Sequence, residues 1–344
     1  MIAITGGGTG GHLVIARAIK EELLKRGHKP LYIGSTAGQD RAWFEGDEAF
    51  ERTYFLESSG VVNKKGIHKL RSLFTTVRLA FTCRRLFKQH GVSAVFSVGG
   101  YSAAPASFGA LIARLPLYIH EQNAVEGKLN RLLKPFAKAF FNSYRHDAIM
   151  TDYPVSDAFF AIRKQRQTLK TVIFLGGSQG ATFINELACT LAPFFHERGI
   201  AIIHQTGAKE FERIRRFYEK TAIPADVFDF SKEIAQKLSR ADFAISRSGA
   251  STLWELCAAS LPACFIPYPH AAANHQYYNA KTLVDQGAAL MMEQANVDSH
   301  KLFEMILACD LASLSQKLTA LIHEGGAKAI VDTILQNQPK ESTC

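Results

Sequence analysis

Two apolar, β-branched runs in this chain end in glycine-rich turns. The first is Ile2-Ala3-Ile4-Thr5-Gly6-Gly7-Gly8-Thr9-Gly10-Gly11-His12 and the second Val172-Ile173-Phe174-Leu175-Gly176-Gly177-Ser178-Gln179-Gly180-Ala181. Such a run makes a buried parallel strand, and glycines let the backbone turn sharply. The following helix then presents unpaired N–H groups and the positive end of its dipole to a ligand. Each turn suits an anion such as phosphate, and two copies imply two nucleotide-binding-like halves. Gly6, Gly8 and Gly11 also fit the dinucleotide fingerprint of a nicotinamide or flavin enzyme. That fingerprint needs a ribose-binding acid at the end of the second strand. Here the strand Pro30-Leu31-Tyr32-Ile33-Gly34 runs into Ser35-Thr36-Ala37-Gly38 with no acid before Asp40, which weakens the oxidoreductase reading.

Strand-like and helix-like patterns alternate along the 344 residues, the signature of βαβ units and an α/β, parallel-sheet architecture. In the first half the pattern predicts strands at 2–5, 30–34, 94–98, 117–120 and 139–141, with helices over 12–26 and 67–89. The second half predicts strands at 171–175, 200–204, 227–230, 242–246 and 262–266. Helices fall between them over 181–196, 208–220, 231–239 and 250–259. A final helical pattern covers 311–335. Runs 152–155 and 163–167 lack either periodicity and read as linker. The expected domains are 1–156 and 157–325, with 326–344 as a carboxy-terminal helix and tail that packs back on the first.

A formal charge of +9 points to an acidic partner: nucleic acid, an anionic membrane surface or a phosphate-rich substrate. No ribonucleoprotein signature, zinc-finger spacing or dense basic reading helix is present, so nucleic acid is not expected. The six cysteines are dispersed without Cys-x-x-Cys pairs, as in a reduced cytoplasmic protein, and no metal site is expected. The amino terminus carries no signal-peptide pattern. The longest apolar stretch, 101–119, is broken by Pro105, Arg114 and Pro116, so any membrane contact is expected to be peripheral.

Several polar clusters sit where strands end. His12 follows the first glycine turn, where an imidazole suits a general base; a capping or packing histidine is the alternative. His120-Glu121-Gln122-Asn123 closes one strand and Gly99-Gly100-Tyr101-Ser102 another, at the sheet edge where open α/β folds bind ligands. In the second half, Arg247-Ser248-Gly249-Ala250 leads into a helix. Glu255 lies about one and a half turns along it, placed to accept from a pair of sugar hydroxyls. Asn274-His275-Gln276 and Pro267-Tyr268-Pro269-His270 add amides and rings, or are simply solvated loops. In the segment 67–89, Ile67, Leu70, Phe74, Val77 and Phe81 form one stripe with Arg71, Arg78 and Arg85 along its rim. Such a stripe either covers the sheet or dips into an anionic bilayer.

In their order and spacing, the Gly6 to His12 turn, His120-Glu121-Gln122-Asn123, the Gly176 to Gly180 turn, Arg247-Ser248-Gly249-Ala250, Glu255 and Asn274-His275-Gln276 resemble the MurG family. These are bacterial N-acetylglucosaminyltransferases of peptidoglycan synthesis, and the likeness covers nearly the whole chain. The resemblance implies a GT-B fold of two Rossmann-like domains facing a cleft. It also implies inverting transfer of N-acetylglucosamine from UDP-N-acetylglucosamine to the C4 hydroxyl of the muramoyl sugar of lipid I, at the cytoplasmic face of the inner membrane. The second half would hold the donor: Gly177, Ser178 and Gln179 at the pyrophosphate, Ser231 and the backbone near Phe230 at uracil, and Glu255 at the ribose. Arg247, Ser248 and Gln276 would lie close to the nucleotide sugar. The first half would take lipid I, with Thr9, Gly10 and Gly11 near its pyrophosphate, Asn123 near the transferred sugar, and Tyr101, His120, Glu121 and Asn130 as support.

Inversion requires a base for the acceptor proton, and the resemblance implies His12, with Glu121 as second candidate. Helix amino termini would stabilise the departing UDP, so no tightly bound metal is expected and Mg²⁺ would at most stimulate. One departure stands out. The family commonly reads Asn-Pro-Val-Arg at the linker, whereas this chain reads Tyr153-Pro154-Val155-Ser156, leaving Arg163 as the substitute for the missing arginine.

Overall fold

The structure is a computed structural model that describes residues 1–58, 60, 66–144, 148–177, 180–231 and 233–337, with the side chains of Ile67 and Lys69 excepted. The chain divides into two compact units, Met1–Val155 joined by Gly325–Cys344, and Ser156–Glu324.

The first unit runs β1 (Ile2–Thr5), α1 (Gly10–Lys25), β2 (Leu31–Ser35), α2 (Asp40–Phe44), β3 (Arg52–Leu56), α3 (Gly66–Gln89), β4 (Ala94–Ser97), α4 (Ala104–Ile112), β5 (Leu117–Glu121), α5 (Lys128–Leu133), β6 (Ala139–Asn142) and β7 (Ile149–Met150). The seven strands are all parallel, in the order β3-β2-β1-β4-β5-β6-β7. The sequence pattern assigns no element to α2, β3, α4, α5 or β7. Of these, β3 and β7 lie at the two sheet edges, where one side is open and the apolar signal is weak, and α4 lies in the stretch that Pro105 interrupts. Central β1 and β4 are wholly buried, as their unbroken apolar runs require.

The second unit runs α6 (Asp157–Ala161), β8 (Thr171–Leu175), α7 (Thr182–Glu197), β9 (Ala201–Gln205), α8 (Phe211–Thr221), β10 (Ala225–Phe228), α9 (Ile234–Ser239), β11 (Phe243–Ser246), α10 (Ala250–Ala258), β12 (Ala263–Phe265), α11 (His275–Asp285), β13 (Leu290–Met291), α12 (Ser299–Ala308) and α13 (Leu311–Leu321). Its six strands are parallel in the order β10-β9-β8-β11-β12-β13. Strand β10 starts two residues earlier than the pattern placed it, so Asp229 and Phe230 fall in the following loop. The carboxy-terminal helical pattern splits at Ile322–Gly325 into α13 and α14 (Gly326–Gln336). Gly325, at φ +97°, makes the break.

Helix α14 belongs to the first unit, where Asp332 pairs with Arg26, the residue that follows α1. A side chain at Gly326 would put its Cβ 2.2 Å from the carbonyl oxygen of Asp152, so only glycine permits this docking. In α3 the buried face is Ser72, Thr76, Leu79, Ala80, Cys83, Leu86 and Phe87. Gly109 of α4 lets that helix approach closely, since a Cβ there would lie 2.8 Å from Ala80 O. The stripe Leu70, Phe74, Val77 and Phe81 points the other way and is 47–72% exposed, so it does not cover the sheet. Ile67, the first residue of that stripe, lies outside the described side chains. Among the described residues no single helix is long and apolar enough to cross a membrane. Cys83, Cys189, Cys257, Cys264 and Cys309 are all free thiols.

Among the described residues each unit fully buries one histidine. His204 of β9 is fully buried, with Nδ1 3.1 Å from the Tyr218 hydroxyl and Nε2 3.0 Å from Asn185 Oδ1. His120 of β5 is also fully buried, edge-on to the Tyr153 ring. Burial pushes each down to about 3, because a charged imidazole there loses its water.

Two outcomes follow from these contacts. Gly326→Ala should cost about 1–3 kcal/mol of stability in urea unfolding of the first unit, the range for overpacking; an unchanged midpoint would contradict the tight docking of α14. Both histidines are neutral when folded and bind protons near 6.5 when unfolded. Their contribution is therefore intact above about pH 6.5 and lost as pH falls toward 3, by at most about 1.4 kcal/mol per pH unit each. Thermal unfolding between pH 7 and pH 4 should show this fall, and His204→Gln should make it shallower; a flat profile would contradict it.

Candidate functional site

In both sheets the strand order reverses beside the first strand of the unit, between β1 and β4 and between β8 and β11. Ligands of open α/β sheets bind at such reversals, beyond the carboxyl ends of the strands. The two glycine turns occupy these two places.

In the first unit the turn is packed without slack. Gly6 and Gly8 have φ of +111° and +85°, and a Cβ on Gly6 would fall 2.5 Å from Gly99 O. Gly99 and Gly100 also have positive φ, and a Cβ on Gly99 would lie 2.8 Å from Asn130 Nδ2. The ring of Tyr101 lies over Gly8, and its hydroxyl donates to Ala37 O at 2.7 Å.

Asp40 lies beneath this turn. Its fully buried carboxylate accepts from the Gly8 N–H at 2.9 and 3.2 Å, and its Oδ1 is 2.9 Å from the Tyr32 hydroxyl, which is also 2.9 Å from Gly6 O. A Cβ on Gly7 would fall 1.7 Å from that Oδ1. Burial raises the Asp40 carboxyl above the usual range, opposed by its hydrogen bonds from Tyr32 and Gly8. The first acid after β2 therefore holds the glycine turn from below. Nothing in the sequence period marks this role; only the third dimension brings position 40 under position 8.

His12 sits in the first turn of α1. Thr9, the residue before that helix, has its hydroxyl 2.9 Å from His12 Nδ1, and Gln122 Nε2 is 3.0 Å from His12 Nε2. The structure thus brings Thr9, Gly10, Gly11, His12 and Tyr101 to one rim, together with Gln122, which the sequence singled out only as part of a cluster.

Glu121 is almost fully buried, and its oxygens accept from the backbone N–H of Asn123 at 3.0 Å, that of Gly127 at 2.8 Å and the Asn130 amide at 2.9 Å. Burial raises its carboxyl, and these donors oppose the rise. Its lone pairs are committed to shaping the 123–130 loop, so the geometry gives it support rather than proton transfer. Asn142, missed in the sequence, pins the same loop by donating to Glu121 O and Asn123 O at 3.0 and 3.1 Å.

In the second unit Gly177 and Gly180 have positive φ, and the Gly180 N–H donates to Gly177 O at 3.0 Å, closing the turn. A Cβ on Gly180 would lie 2.5 Å from Thr206 O, whereas one on Gly177 meets no described atom within 4 Å. Ser178 and Gln179 lie outside the described residues. Thr206 is held in turn by Asn185, which donates to its carbonyl at 3.0 Å and also contacts buried His204.

Arg247 is buried and spends its terminal nitrogens on Ile266 O at 2.9 Å, Pro267 O at 3.1 Å and Gln294 Oε1 at 2.7 Å. Its guanidinium lies 5.5 Å from the rings of both Phe183 and Tyr268, and burial lowers it to about 10. Ser248 donates to Gln276 O at 2.8 Å, and Gln276 Oε1 accepts from the Tyr268 N–H at 2.9 Å. Arg247, Ser248 and Gln276 therefore form one wall with Tyr268. Glu255 is half-buried, in the second turn of α10. Ser231 accepts from the Glu233 N–H at 3.0 Å in a tight turn, beside Phe230, which is 49% exposed.

Arg163 does not replace the family arginine. Its guanidinium donates to Ala258 O and Ile322 O, each at 2.9 Å, and lies over the Phe160 ring, which makes it a brace inside the second unit. Ser156 instead caps α6, accepting from the Ala158 N–H at 3.5 Å.

Comparison with known proteins agrees with this arrangement. Residues 2–142 match the glycosyltransferase family 28 N-terminal domain, and residues 171–336 match the family 28 C-terminal domain. A protein of Campylobacter fetus, named UDP-N-acetylglucosamine--N-acetylmuramyl-(pentapeptide) pyrophosphoryl-undecaprenol N-acetylglucosamine transferase, is 55% identical over 336 residues. That alignment spans 98% of this chain and 100% of that protein. The protein of the same name from Wolinella succinogenes is 53% identical over 334 residues, covering 97% of this chain and 99% of its own length. The crystal structure of Acinetobacter baumannii MurG superposes with a TM-score of 0.80 at 27% identity, over 97% of this chain and 99% of that one. The chain has the GT-B fold and belongs to glycosyltransferase family 28, among the MurG N-acetylglucosaminyltransferases.

Proposed function

We propose that this chain transfers N-acetylglucosamine from UDP-N-acetylglucosamine to the C4 hydroxyl of the muramoyl sugar of lipid I, giving lipid II through a β-1,4 bond. The observation that carries this reading is the 55% identity, over nearly the full length, to a transferase named for that reaction.

His12 is the general base of a single inverting displacement. The acceptor O4–H gives its proton to His12 Nε2 as O4 bonds to the anomeric carbon. The bond from that carbon to the diphosphate breaks in the same event, and UDP leaves with the electron pair. Thr9, at 2.9 Å from Nδ1, steadies the imidazolium that forms. Thr9, Gly10 and Gly11 lie near the lipid diphosphate at the positive end of α1, while Asp40 occupies the Gly8 amide. Asn123 meets the transferred sugar, on a loop held by Glu121, Asn130 and Asn142.

The donor rests on the second unit. Gly177, Ser178 and Gln179 meet the diphosphate at the start of α7, Ser231 and the backbone at Phe230 read uracil, and Glu255 accepts from the ribose hydroxyls. Arg247, Ser248 and Gln276 wall the sugar. The charge that grows on UDP is met by helix amino termini rather than by a resident metal, with Mg²⁺ from solution as a stimulant.

The acceptor is membrane-borne, and the outward stripe of α3 suits such a surface. Leu70, Leu73, Phe74, Val77 and Phe81 are exposed, with Arg71, Arg78, Arg84, Arg85 and Lys88 beside them. Apolar side chains enter the acyl boundary while the arginines meet anionic headgroups, giving peripheral attachment at the cytoplasmic face of the inner membrane. Nucleic acid has no place in this reading.

UDP-N-acetylglucosamine should raise the melting temperature more than UDP-glucose does, and His12→Ala should keep that shift while losing at least about 100-fold in transfer to a lipid I analogue. Undiminished transfer by the variant would remove His12 from the chemistry. Replacing Phe74 and Phe81 together by serine should weaken binding to vesicles of anionic lipid by at least about tenfold, since each ring supplies apolar burial worth about 1.5–3 kcal/mol when fully inserted. Binding that persists unchanged would move the membrane contact elsewhere.

A further inference from the structure

A chain of buried polar side chains in the second unit leads to the carbonyl on which Gly180 rests. Asn185, near the start of α7, and His204 of β9 are fully buried, and Thr206 is almost so. A backbone carbonyl can only accept, so the Asn185 amide nitrogen faces Thr206 O, at 3.0 Å, and its oxygen faces His204 Nε2, also at 3.0 Å. The same nitrogen lies 2.6 Å from Glu210 Oε2, and His204 Nδ1 lies 3.1 Å from the Tyr218 hydroxyl of α8. The amide is thereby fixed at both its ends. Thr206 is the point where two segments at the carboxyl ends of the strands meet. On one side a Cβ on Gly180 would fall 2.5 Å from Thr206 O, so the glycine turn lies directly on that carbonyl. On the other, the Thr206 N–H donates to Phe228 O at 2.9 Å and the Gly207 N–H donates to Asp229 O at 3.2 Å. The Thr206 hydroxyl lies between Gly207 O and Phe228 O, at 3.1 and 3.3 Å. Phe228 ends β10 and leads straight to Phe230 and Ser231.

We propose that Asn185 is a positioning residue for the nucleotide: through Thr206 it holds the glycine turn and the backbone at Phe230 in one register, so that a ligand spanning both gains what a ligand on one of them does not. This rests on the reading of that turn as the diphosphate site and of the Phe230 backbone as the uracil site. The spacing between uracil and diphosphate in a nucleotide is set by its ribose, so two subsites serve it together only if their own spacing is equally fixed. Neither loop is tied to the other directly by the bonds above; both are tied to Thr206, and Asn185 is the side chain that holds Thr206 from within the core. Because the chain is buried, water does not take over a bond that is lost, and removing one member leaves its partner unsatisfied.

The test compares the dissociation constants of UDP, which spans both subsites, and of uridine, which lacks the diphosphate, by amide chemical-shift titration of the full-length chain. Asn185→Ala should weaken UDP by at least about fivefold, the effect of one buried hydrogen bond, while uridine stays within about twofold of the wild type. Thr206→Val removes the hydroxyl at nearly constant shape and should shift the two ligands in the same unequal way, which keeps the test decisive if Asn185→Ala does not fold. Thr206→Ser keeps the hydroxyl and should restore UDP binding. The donor KM should rise in the two weakened variants, with the KM for a lipid I analogue unchanged. Equal weakening of UDP and uridine, UDP binding that neither variant alters, or a Thr206→Ser chain that binds UDP as poorly as Thr206→Val overturns the proposal. A wild-type chain that binds neither UDP nor uridine overturns the functional reading beneath it.

Discussion

Backbone lying on backbone at the two strand reversals is the constraint from which the rest follows. In the first unit a Cβ on Gly6 would fall 2.5 Å from Gly99 O, and in the second a Cβ on Gly180 would fall 2.5 Å from Thr206 O. Each approach brings two loops from the carboxyl ends of parallel strands into van der Waals contact, which no side chain at those positions would permit. The amides at the start of the next helix are thereby fixed in place before any ligand arrives, and such preorganisation is what makes fixed dipoles effective toward a developing charge. Asp40 adds a second constraint on the first turn alone. By taking the Gly8 N–H from below, it withdraws that amide from the ligand side of the turn.

Much of the buried charge in these units is structural. Arg166, 1% exposed, donates to the carbonyls of Lys164, Leu238, Ala241 and Ala259. Arg163 and Arg247 likewise spend donors on carbonyl oxygens, and Glu121 spends acceptors on amides. A charge removed from water is stabilised by the hydrogen bonds it makes, so these groups are held where they are. The consequence for chemistry is selective. Of the two candidate bases, Glu121 is locked into its loop, whereas His12 stands at the head of α1 with the Thr9 hydroxyl against its Nδ1.

The order of strands and helices was legible because parallel strands buried on both faces read as continuous apolar runs, as at β1 and β8. The two glycine turns, His12, the His120 to Asn123 cluster and the Arg247-Ser248 wall were legible because each follows such a run directly. Short edge elements were not: α2, β3 and β7 bury too little to leave a period. Contacts between positions far apart in the chain are equally hidden, so the sequence marks Asp40 only as an acid in the wrong place for a ribose and not as the support of Gly8. The stripe on α3 has a period but no stated direction. Only the structure shows that Ser72 and Thr76 face the core while Phe74 faces out. Arg163 looked available in a polar run, yet the carbonyls of Ala258 and Ile322 claim it.

In the proposed reaction each glycine turn serves its own diphosphate, the nucleotide on the second unit and the lipid on the first. Backbone amide chemical shifts of the ¹⁵N-labelled chain, followed during separate titrations with UDP and with a short-chain lipid I analogue, test this most directly. UDP should perturb residues 176–182 and leave 8–12 unchanged, and the lipid analogue should do the reverse. UDP moving the amides of Thr9 to His12, with no response at Gly177 or Gly180, would contradict the account.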